Sequence, residues 1–133
     1  MPGVPAVAFT PRCRATLCRL AEAPSGRERC GLLIGVREAA RLSVGGAIAL
    51  PNRSAAPAAR FLLRGADIAA AMARADGELL GYFHTHLWGG NDPSAADIWS
   101  MRRRPGLHAI LDSRARARLF WSTGGRLSPP PLA

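Results

Sequence analysis

Two histidines one residue apart, His84 and His86, close an apolar run, and after a gap of seven residues comes Ser94-x-x-Asp97. Successive side chains of a strand point to opposite faces, so residues i and i+2 share one, and both imidazoles can be offered to a single metal ion. Residues 89–93, Gly-Gly-Asn-Asp-Pro, read as a turn. Ser94 then opens a helix and sets Asp97 one turn inside it, where its carboxylate can return to the same ion. Two histidines and a carboxylate leave a fourth tetrahedral position open for water, the arrangement of a catalytic zinc site. Each half also has a plain structural reading. Ser94-x-x-Asp97 alone is a capping-box variant with an acid at the positive end of a helix, and a lone His pair on a strand is more often structural than ligating. A strand-end His-x-His, a glycine-rich turn and an acid at the start of the next helix together favour metal.

Missing residues remove other His-x-His chemistries. A metallo-β-lactamase-type site wants Asp and His directly after the pair, where Leu87, Trp88, Gly89 and Gly90 stand. A barrel amidohydrolase needs a far longer chain and more histidines than the remaining His108. A cytidine deaminase would show His-x-Glu and Pro-Cys-x-x-Cys, and neither occurs. A hydrolytic zinc site also needs a carboxylate that takes a proton from water and passes it to the leaving amine. Of the nine acidic residues, Glu78 shares the strand of His84, but six residues at about 3.3 Å each place it roughly 20 Å away. Asp92, in the turn, and Asp112, ending a neighbouring strand, remain geometrically possible, and spacing does not choose between them.

At these positions the sequence resembles the JAMM (JAB/MPN/Mov34) zinc metallopeptidases, in a minimal bacterial-type form. That family's signature is a Glu on an early strand, then His-Ser/Thr-His, seven residues, Ser, two residues and Asp. His84-Thr85-His86, residues 87–93, Ser94, Ala95, Ala96 and Asp97 match its second part without a gap. Residues 27–35, RERCGLLIG, resemble the family's Glu-x-x-Gly-Leu-Leu-x-Gly strand with Glu28 in the acid position, and Pro51-Asn52 is familiar from bacterial members. Leu87 and Trp88 stand where many members have Pro, a departure that bears on loop shape and substrate preference.

The resemblance runs from the first helix to the last strand. It implies a single α/β domain with a JAB/MPN-like fold, a curved mixed β-sheet flanked by helices (cytidine-deaminase-like). It implies one catalytic Zn2+ on His84, His86 and Asp97, with Glu28 as general base. Ser94 would donate to the developing oxyanion, competing with its capping role for one hydroxyl. The expected activity is cleavage of an amide or isopeptide bond after the C-terminal Gly-Gly of a ubiquitin-like protein, processing or deconjugating it in a bacterial conjugation system. The alternative substrate is a ubiquitin-like sulfur-carrier protein, trimmed for cysteine or cofactor biosynthesis. Partners would accordingly be the ubiquitin-like substrate and the conjugation or sulfur-transfer enzymes. A third reading, a non-catalytic MPN scaffold, is disfavoured because Glu28, His84, His86, Ser94 and Asp97 are all present.

The elements that must position these residues follow from periodicity. Residues 10–23 repeat apolar side chains at helical spacing and are closed by Pro24, Ser25 and Gly26. Residues 30–36 form a nearly continuous apolar run and predict a buried strand, with 41–50 its hairpin partner. Residues 51–59 predict a loop, 61–63 a short strand, 66–75 a helix and 79–86 the central strand. Residues 94–103 predict a helix stopped by Pro105, with strands at 107–112 and 118–122. One domain over 1–133 is expected, with an irregular tail from about 126. Cys30 shares a strand face with Glu28 and reads as a small buried side chain. Trp88, beside glycines, reads equally as a substrate contact or as packing against its loop, whereas Trp99 and His108 read as structural.

Composition bounds the rest. With 133 residues, 48% of them hydrophobic, the chain suffices for a single core. No apolar run reaches the length of a membrane span, and MPGVPAVAFT lacks the basic-then-apolar pattern of a signal peptide, so a cytoplasmic location is expected. Cys13, Cys18 and Cys30 lack metal-type spacing and fit a reducing compartment. The net charge of +9 raises nucleic acid as a partner, but the 18 basic residues are spread along the chain. Only Arg102, Arg103 and Arg104 cluster, at a helix end where positive charge is favourable anyway. A solvated cationic surface that attracts an acidic protein is expected, and neither nucleic acid nor membrane. All 18 basic residues are Arg. Arg- and Ala-rich codon usage is the plain cause; a sharper hypothesis is that a chain working beside a lysine-conjugating system gains by offering no acceptor amine. That hypothesis expects a surface Arg→Lys variant to be modified by such a system, and mass spectrometry finding no adduct would sink it.

Overall fold

The computed structural model describes residues 3–133. The chain runs β1 (Ala6–Phe9), α1 (Pro11–Glu22), β2 (Cys30–Glu38), β3 (Arg41–Leu50), α2 (Gly65–Arg74), β4 (Glu78–Thr85), α3 (Ala95–Arg103), β5 (Gly106–Leu111), β6 (Ala117–Ser122) and β7 (Leu127–Ser128). The strands form one seven-stranded mixed sheet in the order β1-β3-β2-β4-β5-β6-β7. Two pairs within it are parallel, β1 with β3 and β4 with β5.

Local chemistry sets the ends of the elements that matter. Thr10 caps α1, its hydroxyl oxygen accepting the Cys13 amide at 3.1 Å, and Pro11 takes the first helical turn, where no amide partner is needed. The β2–β3 hairpin pairs Cys30 with Leu50 at one end and Glu38 with Arg41 at the other. α3 connects the parallel strands β4 and β5 as a βαβ crossover. Ligand sites of open α/β sheets gather beyond the carboxyl ends of parallel strands, and that is where β4 ends and α3 begins.

The core packs α1 against the sheet through Val7, Leu17, Leu33, Leu42, Phe83 and Leu107. Phe83 and its β5 partner Ala109 belong to this core. Tyr82 and His84 therefore take the opposite face of β4, where Tyr82 stacks on His108. Gly31 and Gly81 are required by close approach. A Cβ on Gly31 would overlap the Ile48 carbonyl oxygen, and one on Gly81 the Leu107 carbonyl oxygen.

Several expectations need correction. Residues 61–63 are not a strand: the Leu62 amide donates to Asn52 Oδ1 and its carbonyl accepts from the Arg53 amide, so the segment is held by its own loop instead of a neighbouring strand. Val36 is 51% exposed, because the far half of β2 runs past the core. Ala6–Phe9, assigned to no element from sequence, is an edge strand. The tail is not irregular throughout. Leu127–Ser128 pairs with β6, after which the Val7 amide donates to Pro131 O and the Ala133 amide to Val7 O, each at 2.9 Å. The chain end thus ties together both margins of the sheet, covering edges that would otherwise stand open. No helix among the described residues is long and apolar enough to cross a membrane.

Gly81→Ala is expected to destabilise the protein by about 2 kcal/mol or more, since the methyl group must force β5 away from β4. Urea unfolding measures this, and an unchanged midpoint would show that the strands have room.

Candidate metal centre

His84 is the penultimate residue of β4, buried at 2% exposure. His86 lies just past the strand, yet its amide still donates to Leu111 O at 2.8 Å and so continues the pairing with β5. The two-residue period therefore persists, with the ring centroids 5.2 Å apart. The loop after His86 returns the chain within nine residues to α3, whose N-cap is Ser94. The Ser94 oxygen accepts the Asp97 amide at 3.1 Å and the Ser94 amide donates to Asp97 Oδ2 at 3.0 Å, a complete capping box. The same carboxylate faces both histidines. His86 Nε2 is 2.9 Å from Oδ2 and His84 Nε2 is 3.2 Å from Oδ1. One donor atom from each of the three residues falls within a group no more than 4.8 Å across, a set that can hold a metal ion.

The donor chemistry fits a cation. His86 Nδ1 lies 3.0 Å from the Gly90 carbonyl, which can only accept, so Nδ1 carries the proton. A neutral His86 then turns the lone pair of Nε2 toward a carboxylate oxygen, and two acceptors at hydrogen-bond distance call for a positive charge. His84 Nε2 is buried and makes no hydrogen bond. Fixing one ring nitrogen with a backbone carbonyl so that the other faces the ion is the usual arrangement around metal-binding histidines.

The electrostatics agree. Burial would raise the Asp97 carboxyl, but the two imidazoles and the Ser94 amide hold it well below the usual carboxylate range. His84 is lowered by burial, which keeps it neutral. The Asp97 carboxylate raises His86, which favours its protonated form. Phe61 lies flat on His84, with centroids 4.3 Å apart.

Glu28 enters through the β2–β4 register. Cys30 is the partner of His84, and the Thr85 amide donates to Arg29 O at 2.9 Å. One step further along these antiparallel chains Glu28 falls opposite His86, on the ligand face, two residues before β2 begins. Glu28 is 6% exposed and its Oε1 is buried without a partner. Burial pushes it up to about 7, with His86 drawing it down and Asp97 raising it.

The other acids are otherwise engaged. Asp92 is exposed and paired with Arg118. Asp112 accepts the amides of Arg114 and Arg116 at 2.9 and 3.0 Å and the Arg116 side chain at 2.9 Å. Glu78 accepts the Arg37 amide at the opposite end of β4. His108 is structural, its Nε2 donating to Arg104 O at 2.6 Å. Trp99, read as structural, is 61% exposed with the Arg103 guanidinium 4.0 Å over its ring, and Trp88 is 73% exposed. All three cysteines are free.

The family description of prokaryotic homologues of the JAB domain matches residues 10–123. The chain belongs to this prokaryotic JAB family. None of the curated proteins matches it. Among solved structures it is similar to protein DSY2949 from Desulfitobacterium hafniense, at 21% identity and TM-score 0.79, with 96% of this chain and 91% of that one covered. The JAB1/MPN-domain protein AF2198 from Archaeoglobus fulgidus gives 17% identity and TM-score 0.61 over 94% and 97% of the two chains. A structure described as JAMM, a metalloprotease-like zinc site in the proteasome and signalosome, gives 12% and 0.59 over 96% and 98%. At these identities the likeness establishes the JAB/MPN fold. Two residues that sequence reasoning did not assign to the site, Phe61 and Gly90, contact its histidines, and no local pattern marks either.

The folded state of the metal-free JAB domain holds the Glu28 proton more tightly than the unfolded chain does. That contribution to stability is full below the ordinary carboxyl value and is lost as pH rises through about 7. Glu28→Gln is therefore expected to match wild type near pH 4 and to be more stable at pH 8 by about 1–3 kcal/mol after allowance for solvent screening. Thermal unfolding in chelator at both pH values tests this, and a pH-independent difference would refute the burial of the charge.

Proposed function

We propose that this JAB domain is a zinc-dependent peptidase that cleaves after the C-terminal Gly-Gly of a ubiquitin-like protein, maturing it or removing it from conjugates. The observation that carries the reading is a buried, unpartnered carboxyl oxygen on Glu28, opposite His86 and beside the His84–His86–Asp97 group. A structural acid would not be left buried and unpaired, whereas a general base must be free to take a proton.

Zinc held by His84, His86 and Asp97 would supply Lewis acidity toward water and the scissile carbonyl. Glu28 accepts a proton from the attacking water and delivers it to the leaving amine. A base titrating near neutrality suits both transfers. Ser94 donates its hydroxyl to the developing oxyanion, a contact worth roughly 3–4 kcal/mol in comparable sites. The expected competition with capping disappears: the cap uses a lone pair of Ser94 Oγ, accepting from Asp97, and leaves the proton of this exposed hydroxyl available.

The substrate class rests on what borders the site. Residues 61–63 run without a strand partner beside His84, and the bonds of Leu62 point inward to Asn52 and Arg53. Extended chains alternate the direction of their backbone groups, so those of Phe61 face away from the loop, while the Leu63 carbonyl accepts from Arg104 Nη2 at 3.3 Å. A glycine-terminated tail binds such an edge through main-chain hydrogen bonds without large side-chain pockets. Trp88 stands exposed two residues beyond His86 to meet what precedes or follows the scissile bond. A ubiquitin-like sulfur carrier presents the same tail and is the alternative substrate. A scaffold would have no use for a buried carboxylate that costs stability.

Zinc content and cleavage of a Gly-Gly-terminated ubiquitin-like protein carrying an amide-linked extension should be measured for wild type and Glu28→Gln. Both are expected to hold about one zinc, with the variant slower by at least about 100-fold. Absence of zinc would end the catalytic reading, and an equally active variant would remove Glu28 as the base.

A further inference from the structure

Asn52 lies two residues beyond the end of β3, and its side-chain amide, which hydrogen-bonds to none of His84, His86 and Asp97, sits at the centre of five hydrogen bonds. Nδ2 donates to Glu28 O at 2.9 Å and Arg60 O at 3.0 Å, with a longer contact to Pro57 O at 3.4 Å. Oδ1 accepts the amides of Ser54 and Leu62, each at 3.1 Å. These partners belong to two segments that are also joined where the Glu28 amide donates to Pro57 O. One segment carries Glu28; the other carries Phe61, whose ring lies on His84.

The consequence is mechanical. On the β4 side, Arg29 is locked to Thr85, its amide donating to Thr85 Oγ1 and its carbonyl accepting the Thr85 amide, each at 2.9 Å. On the loop side, Glu28 is held by Pro57 through its amide and by Asn52 through its carbonyl. Its backbone is thus fixed from both directions, although its carboxyl has no hydrogen bond at Oε1 to orient it. The same amide sets Leu62, and with it the neighbouring Phe61. Only a side chain with both donors and an acceptor in one plane can join these groups, and Asn is the shortest that qualifies.

We infer that Asn52 is the positioning residue of this centre, holding Glu28 and Phe61 in register with the ligand histidines through its amide. The identification of Glu28 as base rests on the proposed function; the positioning itself does not. Asn52→Asp keeps the size and the acceptor bonds but sets an oxygen against the carbonyls of Glu28 and Arg60. Asn52→Ala removes all five bonds. Arg53→Ala is the control: it cuts the same loop from α2 at Asp67 and leaves the Asn52 bonds intact.

The first readout is NMR on the metal-free protein without substrate. In Asn52→Asp and Asn52→Ala, the His84 ring protons are expected to lose the upfield displacement caused by Phe61. The Glu28 amide is expected to exchange faster by on the order of 100-fold while core amides stay protected. The second readout is turnover at unchanged zinc content, where a displacement of about 1 Å predicts a loss of kcat on the order of 100-fold with KM retained. The inference is overturned if both signals stay as in wild type, if Arg53→Ala produces the same changes, or if both Asn52 variants lose core protection as well. A chain that cleaves nothing would remove the proposed function, while the two NMR signals would still decide the role of Asn52.

Discussion

The Asp97 carboxylate is the interaction on which this centre depends. It closes the capping box of α3 with one oxygen shared between the Ser94 amide and His86, and it faces His84 with the other. A carboxylate this deeply buried is tolerated only when its charge is answered, and here two imidazoles and a backbone amide answer it. The start of α3 is thereby registered against the end of β4, and the intervening loop has little freedom. Gly90 O holds His86 from within that loop, and the Asn91 side chain pins it to Arg116 O at 3.1 Å. Helix cap and candidate metal site are one structure, so disturbing either disturbs the other.

The sheet transmits this arrangement to Glu28. Its position follows from the antiparallel register of β2 on β4 and from the exchange between Arg29 and Thr85. The register in turn needs Gly31 and Gly81, whose bare backbones allow neighbouring strands to come close. Glu28 is then buried before any cation is present, at a cost to stability that the apolar core and the tied sheet margins must cover. Proteins commonly tolerate such local destabilisation where chemistry requires it.

What was legible in the sequence was what local geometry determines. The strand period puts His84 and His86 on one face and helix capping puts Asp97 at the third helical position, so these three residues could be grouped from spacing alone. Capping box and metal ligand looked like rival accounts of Ser94-x-x-Asp97; the geometry allows both, because a carboxylate has more than one lone pair to give. Glu28 could not be found by spacing, since its relation to His86 is set by pairing between segments more than fifty residues apart. The resemblance to a known family supplied that residue, and the register gives the reason. Residues 61–63 have the composition of a strand but no free partner, because Asn52 and Arg53 take the bonds of Leu62. β1 and β7 are four and two residues long and exist through their neighbours, which a single-sequence pattern does not register.

Desolvation acts in opposite senses on neighbouring groups here, and the differences make chemical sense. Burial disfavours charge on any group, so it lowers His84 and leaves its lone pair available, while it raises Glu28 toward the range in which a base can both accept and release a proton. His86 escapes because it is less buried and faces the Asp97 carboxylate, which raises it instead. A divalent cation among the same three side chains would supply the positive charge that the facing acceptors call for. The low-dielectric setting that makes the cation favourable is the setting that keeps Glu28 poised, and both follow from closing the end of β4 with the first turn of α3.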